Sequence, residues 1–369
     1  MLRAWWAVAL VGLLVPSAGC GGDEPAGAEQ RYWGLSDASA AVALGTGLFV
    51  AADDENNVLK VYSAAQVGHE IAAFDWNEHL GIRPGSEHPE ADIEGATVLG
   101  DRIFWITSHG RNRDGKWRPN RHRLLAMTVA RTDQGLQATP LGHAYDRLAV
   151  QLLSLPQSDE LGMTAALGPL GSNDKDLAPK DEGLNIEGLA ATPDGKSLLI
   201  GFRNPVPHAK ALLLPLLNPL EVVNDQATPQ LGQPILLDLS VRRSGKTYGL
   251  GIRSIEYSRR HGGYLIVAGP PDTRNVFALF HWSGQARDRA RLLAAADSVL
   301  QQKDFTPEAL IVFPDRDPIQ LLSDDGTQKV NVTSPAQCAE GQFDHGQCEQ
   351  KYLLDPARRS FRFLRMQIR

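Results

Sequence analysis

The clearest pattern in the chain is a repeat of short apolar runs separated by polar turns. Each copy has a polar residue, a few small or apolar residues, a polar turn and a second apolar run that ends in a polar cluster. This pattern predicts two short strands joined by a turn. The copies are SDASAAVALGTGLFVAADD from Ser36, DIEGATVLGDRIFWITSHG from Asp92, NIEGLAATPDGKSLLIGFRN from Asn185, IRSIEYSRRHGGYLIVAGPP from Ile252 and TPEALIVFPDRDPIQLLSDD from Thr306.

The spacing of the copies predicts the fold. Superposed, they place Ser39, Glu94, Glu187, Ser254 and Glu308 at one position, at intervals of 55, 93, 67 and 54 residues. A hairpin cannot bury both faces alone, whereas several hairpins in a ring can, and such periods are typical of propeller blades. We therefore predict an all-β protein, a β-propeller with about six blades of four-stranded antiparallel sheets, or seven. Two β-sandwich domains would explain the strands but not the repeated Glu-Gly pair.

Three segments do not follow the repeat. The 93-residue interval predicts one unmarked copy or a long insertion. The Ala-, Leu- and Arg-rich segment Ala286–Gln301 predicts a helix inserted before the last blade. Alternating apolar and basic residues in Arg359–Ile368 predict a final strand that pairs with the first blade and closes the ring.

The N-terminus predicts export. Residues 1–19 hold one charge, Arg3, before an apolar run too short to span a membrane, as in a signal peptide. Ser17–Cys20 resembles the lipobox of bacterial lipoproteins, which predicts lipidation of Cys20; an ordinary signal peptide with Cys20 as a free thiol is the alternative. Residues 20–30 predict a lipid anchor and flexible tether, and residues 31–369 one propeller domain with a C-terminal cysteine-containing segment. We expect an extracytoplasmic protein, lipid-anchored to the membrane on its periplasmic side or at the cell surface.

Two cysteines remain when Cys20 carries lipid. Cys338 and Cys348 are ten residues apart, and an oxidising compartment favours a disulfide between them. His345 lies between them, so a metal site is the alternative, but this spacing fits no zinc pattern well.

Charge and motifs exclude several classes of function. The net charge of −6 argues against a nucleic-acid partner. The sequence has no GxSxG elbow, HExxH, P-loop or dinucleotide-binding turn.

Three segments resemble a known family. They are SHGRNRDGKWRPNRHRLLAM from Ser108, LAPKDEGLNIEGLAATPDGKSLLIGFRNP from Leu177 and GIRSIEYS from Gly251, and they are similar to the bacterial family known as domain of unknown function 3616. The resemblance runs from Arg31 to about Ser323. It implies an extracytoplasmic β-propeller with distant kinship to phytase-like and esterase-like propellers, and it implies no reaction.

The repeated acidic residues are the first candidate site. At the start of each innermost strand, Glu94, Glu187 and Glu308 would converge on one mouth of the channel, with Asp37 close by. Ca2+ takes about six to eight oxygen ligands and suits such a ring, but no cofactor follows with certainty. Alternatively, each glutamate accepts hydrogen bonds from the neighbouring blade. Acids at two other strand ends predict a second acidic cluster, namely Asp53, Asp54 and Glu55 at the first and Asp324 and Asp325 at the last. The alternative is that they are solvated turn residues.

The loop of residues 111–123 is the second candidate site. Its many arginines and Trp117 are a local exception in an acidic chain, and arginine matches the geometry of phosphate, sulfate and carboxylate. A solvated hairpin or a contact with lipid headgroups is the alternative. The candidate anion-binding residues are His109, Arg111, Arg113, Arg118 and Arg203.

Two functions follow from these features. The first is a binding or surface module for an anionic small molecule, a glycan or a protein. The second is a Ca2+-dependent phosphoesterase of phytase-like type, in which the metal activates water and arginines hold the phosphate. A carboxylesterase has less support, because no serine has a recognisable base partner. Whether the chain is an enzyme is left open.

Overall fold

Strands form where apolar residues run together or alternate between glycine- and proline-containing turns. A computed structural model describes residues 30–45, 47–83, 85–179, 182–293, 300, 304–314 and 316–368. The predicted signal peptide, Cys20 and the tether up to residue 29 lie outside the described residues.

The first two blades follow one another directly. The chain starts with β1 (Arg31–Trp33), which belongs to the last blade. The first blade contains β2 (Ala38–Ala43), β3 (Leu48–Asp53), β4 (Asn56–Ser63) and β5 (Ala72–Asp75), followed by the short helix α1 (Asn77–Leu80). The second contains β6 (Ile93–Leu99), β7 (Arg102–Thr107), β8 (Leu124–Thr132) and β9 (Gly135–Tyr145).

Insertions surround the third blade. Before it lie the helices α2 (Leu148–Leu153) and α3 (Met163–Leu167). The blade contains β10 (Asn185–Ala191), β11 (Leu198–Asn204), β12 (Ala211–Leu216) and, after helix α4 (Pro219–Asp225), β13 (Ile235–Leu237). A separate hairpin follows, β14 (Val241–Arg243) and β15 (Lys246–Tyr248).

The last two blades complete the ring. The fourth contains β16 (Gly251–Ser258), β17 (Gly263–Gly269), β18 (Ala278–Trp282) and β19 (Arg291–Leu292). The fifth begins with β20 (Pro307–Ile311) and β21 (Ile319–Ser323), then the hairpin β22 (Lys329–Asn331) and β23 (Gln347–Glu349) projects from it, and β24 (Ser360–Met366) returns to it. Its strand order is β1-β24-β21-β20.

The predicted all-β propeller of four-stranded antiparallel blades is confirmed. The inner strands β2, β6, β10, β16 and β20 pack in that order, and β20 packs against β2. The described residues form five blades where about six were expected. The long interval between the second and third repeat copies holds α2 and α3, whose apolar side chains pack between those blades, and not a further blade.

One smaller expectation is wrong, and another is wrong in part. The final strand pairs with β21 and β1 in the last blade and not with the first blade, so the ring is closed by the N-terminal strand. In the segment predicted as a helix, Ala286–Gln301, Arg291–Leu292 form β19, because Leu292 pairs with Phe280 of β18. Leu300 is helical, and residues 294–299 and 301 of that segment lie outside the described ones.

The core lies between neighbouring blades. Between the second and third blades it includes Phe104, Ile106, Ile200 and Phe202, all fully buried. Inner strands are covered on both faces, which explains their small and apolar composition. Among the described residues, no helix has the length and apolar character needed to cross a membrane.

Candidate functional site

Each inner strand contains a β-bulge near its first residues. The register with the second strand shifts between Ala38 and Ala40, Ile93 and Gly95, Ile186 and Gly188, Ile252 and Ser254, and Pro307 and Ala309. A bulge leaves one residue unpaired and redirects its side chain. The bulged residues are Ser39, Glu94, Glu187, Arg253 and Glu308, and the three glutamates line one cavity.

In the fourth copy, the position predicted from the repeat, Ser254, is therefore one residue out of register. Arg253, and not Ser254, occupies the position of the glutamates, as aligning Ile252 with Ile186 would have indicated. Ser254 Oγ accepts a hydrogen bond from the Leu310 backbone N–H at 3.1 Å and so joins two blades.

The glycine of the Glu-Gly pair allows neighbouring blades to approach closely. A Cβ atom on Gly188 would lie 2.7 Å from Ile252 Cγ2 of the fourth blade, and one on Gly95 would lie 3.2 Å from Leu189 Cβ of the third blade. The pair thus combines a redirected carboxylate with tight packing beside it.

Glu187 and Glu308 contact arginine. Arg253 Nε lies 2.9 Å from Glu187 Oε2, and Arg253 also forms an ion pair with Glu308. Arg203 Nη1 donates to Glu187 Oε1 at 3.0 Å, and Asn185 donates to the same oxygen at 2.8 Å. Of the four predicted metal ligands, these two are therefore held by basic side chains.

Glu94 and Asp37 lie instead in a group of carboxylates. The oxygens of Asp54, Asp92 and Glu94 lie within 4.8 Å of one another, and so do those of Asp37, Asp53 and Asp54. We call these five residues the acidic cluster. Asp54 belongs to both groups, and its buried Oδ1 has no hydrogen-bond partner among the described residues.

Burial and mutual repulsion make ionisation of this cluster costly. Burial, then the charges of Asp324 and Asp53, raises the pKa of Asp37 well above its usual range. Burial and neighbouring carboxylates do the same for Asp54 and Glu94. Burial raises the pKa of Asp53 and that of Asp92 to about 6. Such a cluster is stabilised by protons or by a bound cation.

The basic loop is held by contacts between its side chains and residues before the third blade. Arg111 is buried and donates to the carbonyl oxygens of Leu167, Pro169 and Ser172, at 2.7 to 3.2 Å. Its guanidinium group also lies 5.5 Å from the centre of the Trp117 ring. These contacts fix residues 111–123 against the insertion before the third blade.

The other predicted anion-binding residues separate into two groups. His109 is buried, its Nδ1 lies 2.9 Å from the Thr107 carbonyl oxygen, and burial lowers its pKa to about 4. Arg118 contacts the carbonyl oxygen of Trp117. In contrast, Arg113 and Arg203 line the cavity that contains the glutamates.

This mouth cavity has a volume of about 640 Å³ and joins acidic and basic walls. The basic wall includes Arg121, which donates to Asp92 at 2.8 Å and pairs with Glu90. The charged residues that line it include Asp54, Asp92, Glu94, Glu187, Glu308, Arg113, Arg121, Arg203 and Lys351.

Lys351 reaches the cavity from the C-terminal segment. Cys338 and Cys348 form a disulfide, with Cα atoms 6.1 Å apart, beside the hairpin of β22 and β23. Lys351 Nζ lies 2.7 Å from Glu55 Oε1. No periodic signal in the sequence marks Lys351, since this segment lies outside the repeat.

Comparison with known proteins identifies one family. The family model described as "Protein of unknown function (DUF3616)" matches residues 37–134 and 116–310. No curated protein has a significant match to the chain.

Solved structures give only distant likenesses. The glutaminyl cyclase of Myxococcus xanthus is 11% identical with a TM-score of 0.39, over 92% of this chain and 96% of that one. The PQQ-bound aldose sugar dehydrogenase of Streptomyces coelicolor is 10% identical with a TM-score of 0.39, over 91% and 96%. A protein of unknown function from Bacteroides thetaiotaomicron is 9% identical with a TM-score of 0.37, over 92% and 71%.

Proposed function

The chain belongs to the family of proteins of unknown function DUF3616, and we propose that its propeller binds a divalent cation at the acidic cluster and an oxyanionic ligand beside it. The observation that carries this proposal is the meeting of Asp54, Asp92 and Glu94 within 4.8 Å, with a buried and unpartnered oxygen on Asp54. Ca2+ is the candidate ion because every ligand is a carboxylate oxygen.

The charge balance supports binding of a cation before an anion. Among the described residues that line the mouth cavity, eight are acidic and four are basic. An anion entering this cavity alone would meet net repulsion. A bound divalent cation reduces that repulsion and offers a direct contact to an oxyanion.

The anion would be held from the basic wall. Arg113 is exposed and lines the cavity, so its guanidinium group is available to a ligand. Arg203 lies deeper and is held by Glu187. The proposal is thus a binding module whose ligand carries phosphate, sulfate or carboxylate groups.

Binding of inorganic phosphate tests the anion site. In calorimetry, phosphate should bind in the presence of Ca2+ and fail to bind in metal-free buffer. Arg113→Ala should weaken binding by about tenfold, as expected for loss of one charge-assisted contact. Arg118→Ala is the matched control, since Arg118 lies on the same loop but does not line the cavity. Equal binding with and without Ca2+ would contradict the proposal.

Phosphoester hydrolysis is a second candidate function. It is favoured by the presence of the acidic cluster and arginine side chains in one cavity, because a metal can activate water beside a bound phosphate. Turnover of p-nitrophenyl phosphate that requires Ca2+ and is lost in Asp54→Asn would support it. Phosphate binding without turnover would rule out hydrolysis and support a binding function alone.

We also propose that the protein is exported and anchored through Cys20. The support is the sequence pattern of residues 1–20. The Cys20→Ala protein should be found in the soluble extracytoplasmic fraction and the unmodified protein with membranes. Continued membrane association of Cys20→Ala would overturn the anchor.

A further inference from the structure

A second cavity, of about 1230 Å³, lies at the opposite end of the channel. Four of the residues that line it, Ala43, Leu99, Ala191 and Ser258, are the last residues of β2, β6, β10 and β16. The mouth cavity is lined by residues near the starts of the inner strands, so the two cavities occupy different ends.

The wall of this second cavity is largely apolar. Apolar side chains that remain only partly buried surround it, namely Leu44, Leu48, Val98, Val129, Leu136 and Val312. Concave surfaces of this kind are typical of sites for small apolar or amphipathic molecules.

One carboxyl group lies in this wall. Glu256, on β16, lines the cavity, and its carboxyl group has no hydrogen-bond or ion-pair partner among the described residues. Burial raises its pKa well above the usual range. A neutral carboxyl group neither repels an anion nor attracts a cation, and it can donate a hydrogen bond.

Arginines form the rim. Arg131 and Arg259 are exposed, line the cavity and form no ion pair or side-chain hydrogen bond with described residues. Arg260 pairs with Asp317, and the Arg316 guanidinium lies 5.0 Å from the centre of the Phe313 ring. The rim therefore carries positive charge above an apolar wall.

We propose that this second cavity binds an amphipathic anion, with an alkyl chain against the apolar wall and a carboxylate at Arg131 and Arg259. Charge complementarity selects the head group, because the rim is basic. The wall selects the tail, because the partly buried side chains that line it are mainly aliphatic. This site is independent of the acidic cluster.

Dodecanoate is a suitable probe for calorimetry with the full chain carrying Cys20→Ala, which removes the need for detergent. We expect saturable binding of dodecanoate at one site and much weaker binding of dodecyltrimethylammonium. Replacing both Arg131 and Arg259 with alanine should weaken dodecanoate binding by about tenfold. Val98→Asp should abolish it, and Leu44→Asp provides a second wall variant if Val98→Asp does not fold.

Two control variants test whether dodecanoate binds in the second cavity. Lys196→Ala removes an exposed charge at the same end of the channel that does not line the cavity, and it should leave binding unchanged. Glu94→Gln alters the other end of the channel and should also have no effect. The proposal is overturned if dodecanoate does not saturate one site, if the cationic amphiphile binds more tightly, or if folded wall variants bind as well as the parent.

Discussion

Arg253 is the basic residue at a position where three other blades carry glutamate. It is buried and contacts both Glu187 and Glu308. A buried carboxylate without a partner is strongly destabilising, so one arginine offsets two of the repeated charges. Glu94 then remains with Asp54 and Asp92 as the part of the mouth that a cation would stabilise.

Replacing Arg253 should therefore be costly. Arg253→Ala leaves two buried carboxylates without this partner and should lower the free energy of unfolding by about 3 kcal/mol. Urea denaturation at pH 7 measures the change, with exposed Arg242→Ala as a control expected within about 0.5 kcal/mol. A double variant Arg253→Met, Glu187→Gln should lose less than the single one, whereas an Arg253→Ala change as small as the control would rule out this role.

The raised pKa values predict how stability depends on pH. Asp53 and Asp92 titrate at about 6 in the folded protein, above their ordinary value of 3.8. The folded state therefore binds protons more tightly than the unfolded state between these values, and metal-free protein should lose stability as pH rises from about 4 to 6.5. Thermal midpoints across this range should fall in metal-free buffer, and Ca2+ should restore them above pH 6. A thermal midpoint that rises with pH in metal-free buffer would show that ionisation of the cluster does not destabilise the folded protein.

Among the elements, β1 is only three residues long, but it places one aromatic side chain in the core. Tyr32 is fully buried, with its ring 4.7 Å from that of Phe363 and 5.1 Å from that of Phe49, between the last and first blades. Trp33, the next residue, is 38% exposed. The strand thus fixes the N-terminal segment in the last blade through its pairing with β24 and the buried Tyr32 ring.

This arrangement gives a matched pair of variants. Tyr32→Ala should lower the free energy of unfolding by about 3 to 5 kcal/mol, because it removes a buried aromatic ring. Trp33→Ala should cost about 1 kcal/mol or less. Denaturation with urea compares them, and similar losses for the two would argue against closure of the ring through Tyr32.

The repeat predicted these blades because the alternation of a hairpin is visible in a short stretch of sequence. The features that it missed, a strand register and an edge strand, depend on which strands pair with each other. A bulge adds one residue to a strand, so an alignment guided by polarity placed Ser254 where register places Arg253. Arg291–Leu292 join a sheet because Phe280 and His281 offer an edge, which helix propensity does not record.

At the scale of the whole molecule, the channel has two chemically different ends. The acidic and basic residues of the mouth come from separate blades, a loop and the C-terminal segment. The sequence predicted that Glu94, Glu187 and Glu308 line one mouth, since they share a repeat position. It assigned Asp54 to a second acidic cluster or a solvated turn and not to this mouth, and it did not predict Lys351, because a segment outside the repeat carries no periodic signal.

Cation binding by the acidic cluster can be measured by calorimetric titration of Ca2+ into the metal-free Cys20→Ala protein at pH 7. Asp54→Asn is the variant, and exposed Glu78→Gln is the control. We predict one saturable site in the parent and control, a thermal midpoint raised by about 5 °C at a hundredfold excess over Kd, and loss of both effects in Asp54→Asn. Absence of saturable binding, or equal binding by Asp54→Asn, would contradict the cation site.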